Sequence, residues 1–185
     1  MPSRQLCNVF VGNESNQHGL SMAYPFGTLV FTPVIQALQE RYGSRRQYAK
    51  REQSGFAPNG LGPDETAFLA ESDSFYMASI GETGWPYVQH RGGPKGFLKV
   101  VDGHTIAFAD YAGNKQYVST GNLTRNDRVA LILVDYPRQA RLKILGHAKI
   151  LEGAEADAWV EEFNRAVRPQ VRSSIVRRPG LGKRI

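Results

Sequence analysis

Asn114 and Lys115 are the residues whose types and spacing most clearly favour chemistry. They follow Gly113, in a segment (110–123) that comes after a predicted strand and begins a helix-like stretch. Gly113 lets the backbone approach a ligand closely, and the free N–H groups of a first helical turn favour an anion. A lysine there adds a point charge for a phosphate. A simple helix cap explains the same residues equally well, so both interpretations stay open.

Further cations lie in or beside the predicted strands. Arg91 ends the second strand, Lys99 lies in the third, and Arg141 opens the sixth. Side chains alternate between the two faces of a strand, so one face of the sixth strand carries four basic side chains: Arg141, Lys143, His147 and Lys149. This pattern is typical of an anion-binding face, and equally of an antiparallel sheet with one face in water.

The motifs of several common site classes are missing. The sequence contains no GxGxxG, GxxxxGK, HExxH, GxSxG or CxxC. Cys7 is the one cysteine, and the four histidines are scattered along the chain. The sequence therefore gives no support to a zinc site, a thiol pair or a hydrolytic triad.

Length and composition indicate an ordinary globular protein. The chain has 185 residues, of which 41% are hydrophobic and 22% charged, so one domain is expected and a wholly disordered chain is excluded. The longest apolar run, from Val129 to Val134, is far shorter than a membrane-spanning helix. The first residues lack an apolar signal core. We expect a cytoplasmic protein without membrane association.

The net charge of +6 comes from one end of the chain. Residues 168–185 hold six basic and no acidic residues, and the rest of the chain is balanced. Such a tail is usually solvated and dispensable for folding, although it can attract nucleic acid or acidic lipid. We therefore divide the chain into an N-terminal arm (1–31), a single domain with flanking helices (32–167) and a basic C-terminal tail (168–185).

The hydrophobic periodicity places helices before strands. Thr32-Pro33 begins a surface helix whose apolar stripe is Val34, Ile35, Leu38 and Tyr42, and which weakens into a basic stretch ending at Arg51. A short helix follows at 64–71, another is expected at 154–167, and the arm is expected to hold a short strand near 28–31. The six predicted strands cover residues 75–80, 85–91, 97–101, 105–109, 129–134 and 141–151. Consecutive strands joined mostly by hairpins predict a mainly β, α+β fold with a six-stranded antiparallel barrel.

Four sequence segments resemble one known family. In order they are PYVQHRGGP (86–94), GFLKV (96–100), GNK (113–115) and RLKILG (141–146). They are similar to the pyridoxamine 5'-phosphate oxidase-related FMN-binding family, over roughly residues 32–152. The resemblance implies a split β-barrel that forms a homodimer, with FMN held between the two subunits.

The resemblance also implies site residues. Lys99 stands where the oxidase has a lysine that binds the FMN phosphate, and 113–115 stands where a Gly-Ser-Arg-Lys segment grips the same phosphate. Arg141, five residues before Gly146, stands where a glutamine contacts the flavin ring. The implied FMN-binding residues are Gln89, Arg91, Lys99, Asn114, Lys115, Ser119 and Arg141.

The resemblance does not identify the substrate. The C-terminal Arg-x-His motif with which the oxidase grips pyridoxal is missing, so a different substrate is expected. The leading hypothesis is an FMN-dependent oxidoreductase, since FMN itself carries the electron chemistry. The alternatives are a flavin-binding carrier or sensor without turnover and, less favoured, a nucleic-acid-binding module that uses the basic tail.

Overall fold

The computed structural model describes residues 7–10, 26–53, 61–110, 115–154, 156 and 175–177. The helices are α1 (Phe26–Val30), α2 (Pro33–Arg41), α3 (Arg45–Gln53), α4 (Pro63–Glu71) and α5 (Val118–Leu123). The strands are β1 (Cys7–Phe10), β2 (Ser74–Ile80), β3 (Pro86–Gly92), β4 (Lys99–Asp102), β5 (Thr105–Ala107), β6 (Ala109–Asp110), β7 (Arg128–Asp135), β8 (Ala140–Leu151) and β9 (Ile175–Arg177).

All strand pairs in the described residues are antiparallel. The sheet runs in the order β3-β2-β7-β8-β9-β5-β4, and β1 pairs with both β6 and β8. The mainly β fold with flanking helices is therefore confirmed, and each of the six predicted strands is found. The sheet has nine strands because the predicted fourth strand is divided into β5 and β6 at Phe108, and because β1 and β9 join it. Within the described residues β3 and β4 end the sheet without pairing to each other.

The inner face of the sheet forms the core. Phe75 of β2 stacks on Phe97 at 5.8 Å between ring centroids and meets Phe108 edge-on at 5.0 Å. Each of these rings is at most 1% exposed, and such burial stabilises the fold by about 1.5–3 kcal/mol per large apolar side chain. Burial alternates along β8, so Leu142, Ile144 and Ala148 point inward and Arg141, Lys143 and His147 point outward, as the period of two predicts.

Strands from both ends of the chain take part in this sheet. β1 comes from the predicted arm and pairs with β6 and β8. β9 comes from the predicted tail and pairs with β5 and β8, so that it joins two parts of the sheet. The division into arm, domain and tail stays a prediction, but its outer segments contribute strands. Most of the helix expected at 154–167 lies outside the described residues.

The helices before the sheet differ from the prediction in two ways. The sequence predicts a strand near Thr28–Phe31, but Phe26–Val30 form the short helix α1, because the Phe31 N–H donates to the local Gly27 carbonyl at 2.8 Å instead of to a neighbouring strand. The long basic helix is divided into α2 and α3, because Gly43 adopts a left-handed φ of 76° that ends α2.

The apolar stripe of α2 is not covered by any other part of the described chain. Val34 is 70% exposed and Tyr42 is 74% exposed, whereas Gln39 is only 8% exposed. Gln39 accepts a hydrogen bond at Oε1 from Arg45 Nη1, at 3.1 Å, and so ties α2 to α3. The helix lies at the surface, as predicted. Its buried side chain, however, is the polar Gln39 and not a member of the apolar stripe.

Candidate functional site

Arg91, one of the predicted site residues, forms a buried ion pair with Asp110. Arg91 lies on the inner face of β3, opposite Phe75 in the strand register, and Asp110 ends β6. Arg91 Nη1 donates a hydrogen bond to Asp110 Oδ1, and only 7% and 14% of the two side chains are exposed. The pair therefore joins β3 to the end of β6.

The surroundings of this pair are largely apolar. The Arg91 guanidinium lies over the Phe108 ring, 5.5 Å from its centroid. Burial raises the pKa of the Asp110 carboxyl, and the charge of Arg91 and its hydrogen bond oppose that shift. Arg91 Nε has no hydrogen-bond partner among the described residues, although it is buried. One donor of a buried guanidinium thus remains unsatisfied, which is costly and uncommon in native proteins.

A second polar contact joins β3 to α5. Ser119 is 2% exposed, and its Oγ donates a hydrogen bond to Gln89 Oε1 at 2.8 Å. One turn further along α5, Asn122 Nδ2 donates to Ser79 Oγ of β2 at 3.0 Å. Two of the predicted site residues, Gln89 and Ser119, are therefore brought into direct contact, and they place α5 against the sheet.

Lys99 and Lys115 are the predicted phosphate ligands that the structure describes. Lys99 opens β4 opposite Ala107 of β5 and is half-buried. Its Nζ is 3.8 Å from the position that a Cβ at Gly96 would take. Lys115 is exposed and has a left-handed φ of 59°, as does Tyr117 at 54°. Neither lysine has a side-chain hydrogen bond or ion pair in the described part of the chain. Asn114 lies outside the described residues.

The glycines of the QHRGGP segment have a packing role. A Cβ at Gly93 would be 2.7 Å from Phe97 Cγ, which is closer than real side chains approach. Gly93 N also donates to the Asp73 carbonyl at 2.9 Å. Glycine at this position therefore lets the turn between β3 and β4 close over the buried Phe97 ring.

Arg141 does not join the other predicted site residues within one chain. It pairs with Val134 in the β7–β8 register and points to the outer face of the sheet. Gln89 and Arg91 alternate with the outward-facing Val88 and His90 of β3, so they point to the inner face. Arg141 is thus separated from them by the sheet itself.

The outer face combines apolar and cationic side chains. His90, Tyr76, Ile132 and Lys143 follow one another across β3, β2, β7 and β8 in register. The His90 and Tyr76 rings meet edge-on at 5.3 Å. Tyr76 is 42% exposed and the neighbouring Val88 is 59% exposed. Neither Arg141 nor Lys143 has an ion-pair partner among the described residues.

A cavity of about 410 Å³ lies elsewhere, between the end of α4, the start of β2 and the β7–β8 hairpin. None of the seven predicted site residues lines it. At its edge Arg138 pairs with both Glu71 and Asp135, and the hydrogen bond from Arg138 lowers the pKa of Glu71. The negative charges of the lining carboxylates are largely balanced by Arg138 and Lys95. The cavity therefore provides no candidate catalytic group.

The described residues contain no group of three or more His, Cys, Asp or Glu side chains placed to hold a metal ion. No helix in the described ranges is both long and apolar enough to span a bilayer.

Asp110 is the site residue that sequence reasoning missed. Its partner Arg91 lies 19 positions away on another strand, so no local pattern joins the two residues. The one available signal was an acidic residue ending a strand just before the predicted phosphate segment.

Several solved structures are similar to this chain at low sequence identity. HupZ from Group A Streptococcus has a TM-score of 0.48 and 16% identity, over 66% of this chain and 98% of that one. A putative pyridoxamine 5'-phosphate oxidase from Lactobacillus delbrueckii has a TM-score of 0.48 and 18% identity, over 70% and 95%. HutZ from Vibrio cholerae, whose name describes it as a heme storage protein, has a TM-score of 0.42 and 15% identity, over 68% and 94%. Among curated proteins, none matches this sequence.

The sequence itself identifies the family. The family model described as Pyridoxamine 5'-phosphate oxidase matches residues 62–179, which is more than half of the chain. That range includes every predicted site residue, the Arg91–Asp110 pair and strands β2 to β9. The chain therefore belongs to the pyridoxamine 5'-phosphate oxidase family.

Proposed function

We propose that this protein binds FMN and uses it as an oxidoreductase on a substrate other than a B6 vitamer. The observation that carries the proposal is the position of two unpaired lysines in a chain of this family. Lys99 opens β4, Lys115 follows β6, and neither ammonium group has an anionic partner in the described part of the chain. A flavin phosphate provides the missing negative charge through charge-assisted hydrogen bonds.

The residues present fit an FMN phosphate better than they fit a metal. Among the described residues, two lysines without an anionic partner and a buried arginine with one unsatisfied N–H are hydrogen-bond donors, whereas hard metal ions need clustered oxygen ligands. Gln89 and Ser119 add a neutral polar contact beside α5. In this proposal Lys99 and Lys115 hold the phosphate, and bound FMN supplies the hydride or electron chemistry.

We further propose that the functional unit is a homodimer with FMN between its subunits. The position of Arg141 supports this, because it lies on the outer face of the sheet, which also carries exposed apolar side chains. A second copy that packs on the outer face would cover Arg141 and place it at the boundary between the subunits. The exposed Tyr76 and Val88 give that face the apolar area that such packing requires.

A titration of the purified apo-protein with FMN, monitored by isothermal calorimetry and by flavin absorbance, tests this proposal. We expect one FMN per chain, much weaker riboflavin binding and a dimer mass by sedimentation. If the folded protein does not bind FMN, the cofactor assignment is refuted. A parallel titration with hemin tests whether the protein binds heme instead. Reduction of the bound flavin by NADH or NADPH, followed by reoxidation by an acceptor, separates an oxidoreductase from a carrier or sensor.

A further inference from the structure

The carboxamide of Gln89 is hydrogen-bonded at one end only. Ser119 Oγ donates to Gln89 Oε1 at 2.8 Å, and a serine hydroxyl has a single hydrogen to donate. Gln89 Nε2 has no hydrogen-bond partner in the part of the chain that the structure describes. The side chain therefore directs its oxygen at α5 and offers two N–H donors to a molecule that binds beside it.

The surroundings of Ser119 fix this orientation of the amide. Ser119 is 2% exposed, so its hydroxyl cannot exchange the bond to Gln89 for a bond to water. A second bond, from Asn122 Nδ2 to Ser79 Oγ at 3.0 Å, holds α5 in place beside the sheet. Turning the amide over would take the acceptor away from a buried hydroxyl hydrogen, which is unfavourable. The nitrogen of Gln89 is therefore held on the side away from Ser119.

Gln89 lies where a bound flavin could reach it. It shares the inner face of β3 with Arg91 and is only half-buried. Ser119 follows Lys115 by four residues, so the chain between them spans at most about 14 Å. A neutral amide adds no charge to a phosphate site, but its N–H groups suit a neutral acceptor. The carbonyl oxygens of the flavin ring are acceptors of this kind.

We propose that Gln89 donates a hydrogen bond from Nε2 to a carbonyl oxygen of the flavin ring, and that Ser119 is the positioning residue that keeps the amide in this orientation. Ser119 acts through Gln89 and does not itself contact the flavin. A donor at this place also favours the reduced flavin, whose ring carries more negative charge. This inference rests on the proposed function, because it needs a bound flavin.

Gln89→Glu tests the direction of the hydrogen bond. The substitution keeps the shape of the side chain and an acceptor for Ser119, but it replaces both N–H donors with an oxygen. We expect the affinities for FMN and riboflavin to fall by the same factor, roughly tenfold or more. The visible absorbance band of the bound flavin should shift, and its reduction potential should fall.

Two results of this experiment would overturn the inference. If Gln89 accepts a hydrogen bond from a ring N–H, Gln89→Glu binds both flavins as well as the parent or more tightly. If Gln89 contacts the phosphate, the variant loses more affinity for FMN than for riboflavin, because only FMN carries that group.

A second pair of variants tests the role of Ser119 and keeps the inference falsifiable if Gln89→Glu does not fold. Ser119→Ala and Asn122→Ala each remove one side-chain hydrogen bond between α5 and the sheet, but only Ser119→Ala releases the amide of Gln89. We expect Ser119→Ala to weaken both flavins by roughly threefold or more, and Asn122→Ala by less than about twofold. Equal losses in the two variants would show that Ser119 only anchors α5, and the inference would be wrong.

The parent protein separates a failure of this inference from a failure of the proposed function. If the folded parent binds neither FMN nor riboflavin, the proposed function has failed and this inference fails with it. If the parent binds both flavins and Gln89→Glu binds them equally well, the inference alone is wrong. Circular dichroism of each variant shows whether a lost affinity reflects a lost fold.

Discussion

Ser119 Oγ donates a hydrogen bond to Gln89 Oε1 at 2.8 Å, and this contact joins α5 to β3 across 30 residues of sequence. Because Ser119 is 2% exposed, Ser119→Ala leaves the amide oxygen without a buried donor. We expect a loss of about 1–3 kcal/mol in the free energy of unfolding, measured by urea denaturation. Thr124→Ala removes an exposed hydrogen bond at the end of the same helix and should cost much less.

Lys99 and Lys115 should carry the preference for FMN over riboflavin. Removing one member of a desolvated charge pair typically costs about 2–5 kcal/mol. Lys99→Gln is therefore expected to weaken FMN by roughly 30-fold or more, and Lys115→Gln, at an exposed position, by roughly tenfold. Riboflavin affinity should hardly change in either variant. An equal loss for both ligands on Lys99→Gln would show that Lys99 does not bind the phosphate.

Arg141 should behave in the opposite way, because the proposed site places it near the flavin ring. Arg141→Ala is expected to weaken FMN and riboflavin by the same factor. In a mixed dimer of Arg141→Ala and Lys99→Gln chains, one of the two sites would retain both residues. Recovery of half of the FMN sites at the parental affinity would support contribution from both subunits, and no recovery would contradict it.

Asp110 predicts a pH dependence of stability. Burial raises its pKa in the folded protein above the ordinary value of 3.8. Between these two values the unfolded chain has released the proton and the folded chain has kept it, so rising pH favours unfolding. The unfolding free energy of the parent, relative to Asp110→Asn, should therefore fall with pH across this window and stay constant above it. Urea denaturation of both proteins from pH 3.5 to 8 measures the difference, and a rising difference would contradict the assignment.

The basic C-terminal segment should not be dispensable for the fold. β9 lies between β8 and β5, so a chain ending at residue 168 loses the strand that connects them. We expect that variant to unfold at lower temperature and to exchange the amide protons of Thr105–Ala107 faster. A chain ending at residue 179 keeps β9 and loses only residues beyond it. Equal melting temperatures for the two truncations would show that β9 pairing contributes nothing to stability.

Short-range patterns predicted most of the sheet. The alternation along β2, β7 and β8 and the hairpin signal at Asp102-Gly103 depend on neighbouring residues, so single-sequence reasoning finds them within one or two positions. β1 and β9 have no such signal, because three or four residues form a strand here only through partners far away in the sequence. The exposure of the apolar stripe of α2 was also not predictable, since a periodic pattern does not show which face of a helix other residues cover.

The candidate site was predicted only in part, for the same reason. Residue types and the family-like segments identified the cations Lys99, Lys115 and Arg141. The Arg91–Asp110 pair and the Gln89–Ser119 contact depend on which strands become neighbours. The separation of Arg141 from the other residues also depends on register, because a shift of one position would turn it to the inner face.

The position of β9 has a consequence for how the protein is made. Ile106 of β5 pairs with Val176 of β9, so β5 cannot pair with β9 until most of the chain has been synthesised. During that time the edges of β5 and β8 present unpaired backbone groups, which is when a nascent β protein is most exposed to aggregation. Pairings of such long sequence separation also slow folding, because the loop must close before the contact forms. Among the described strands, β9 is made last, and its pairing with β5 and β8 completes the sheet.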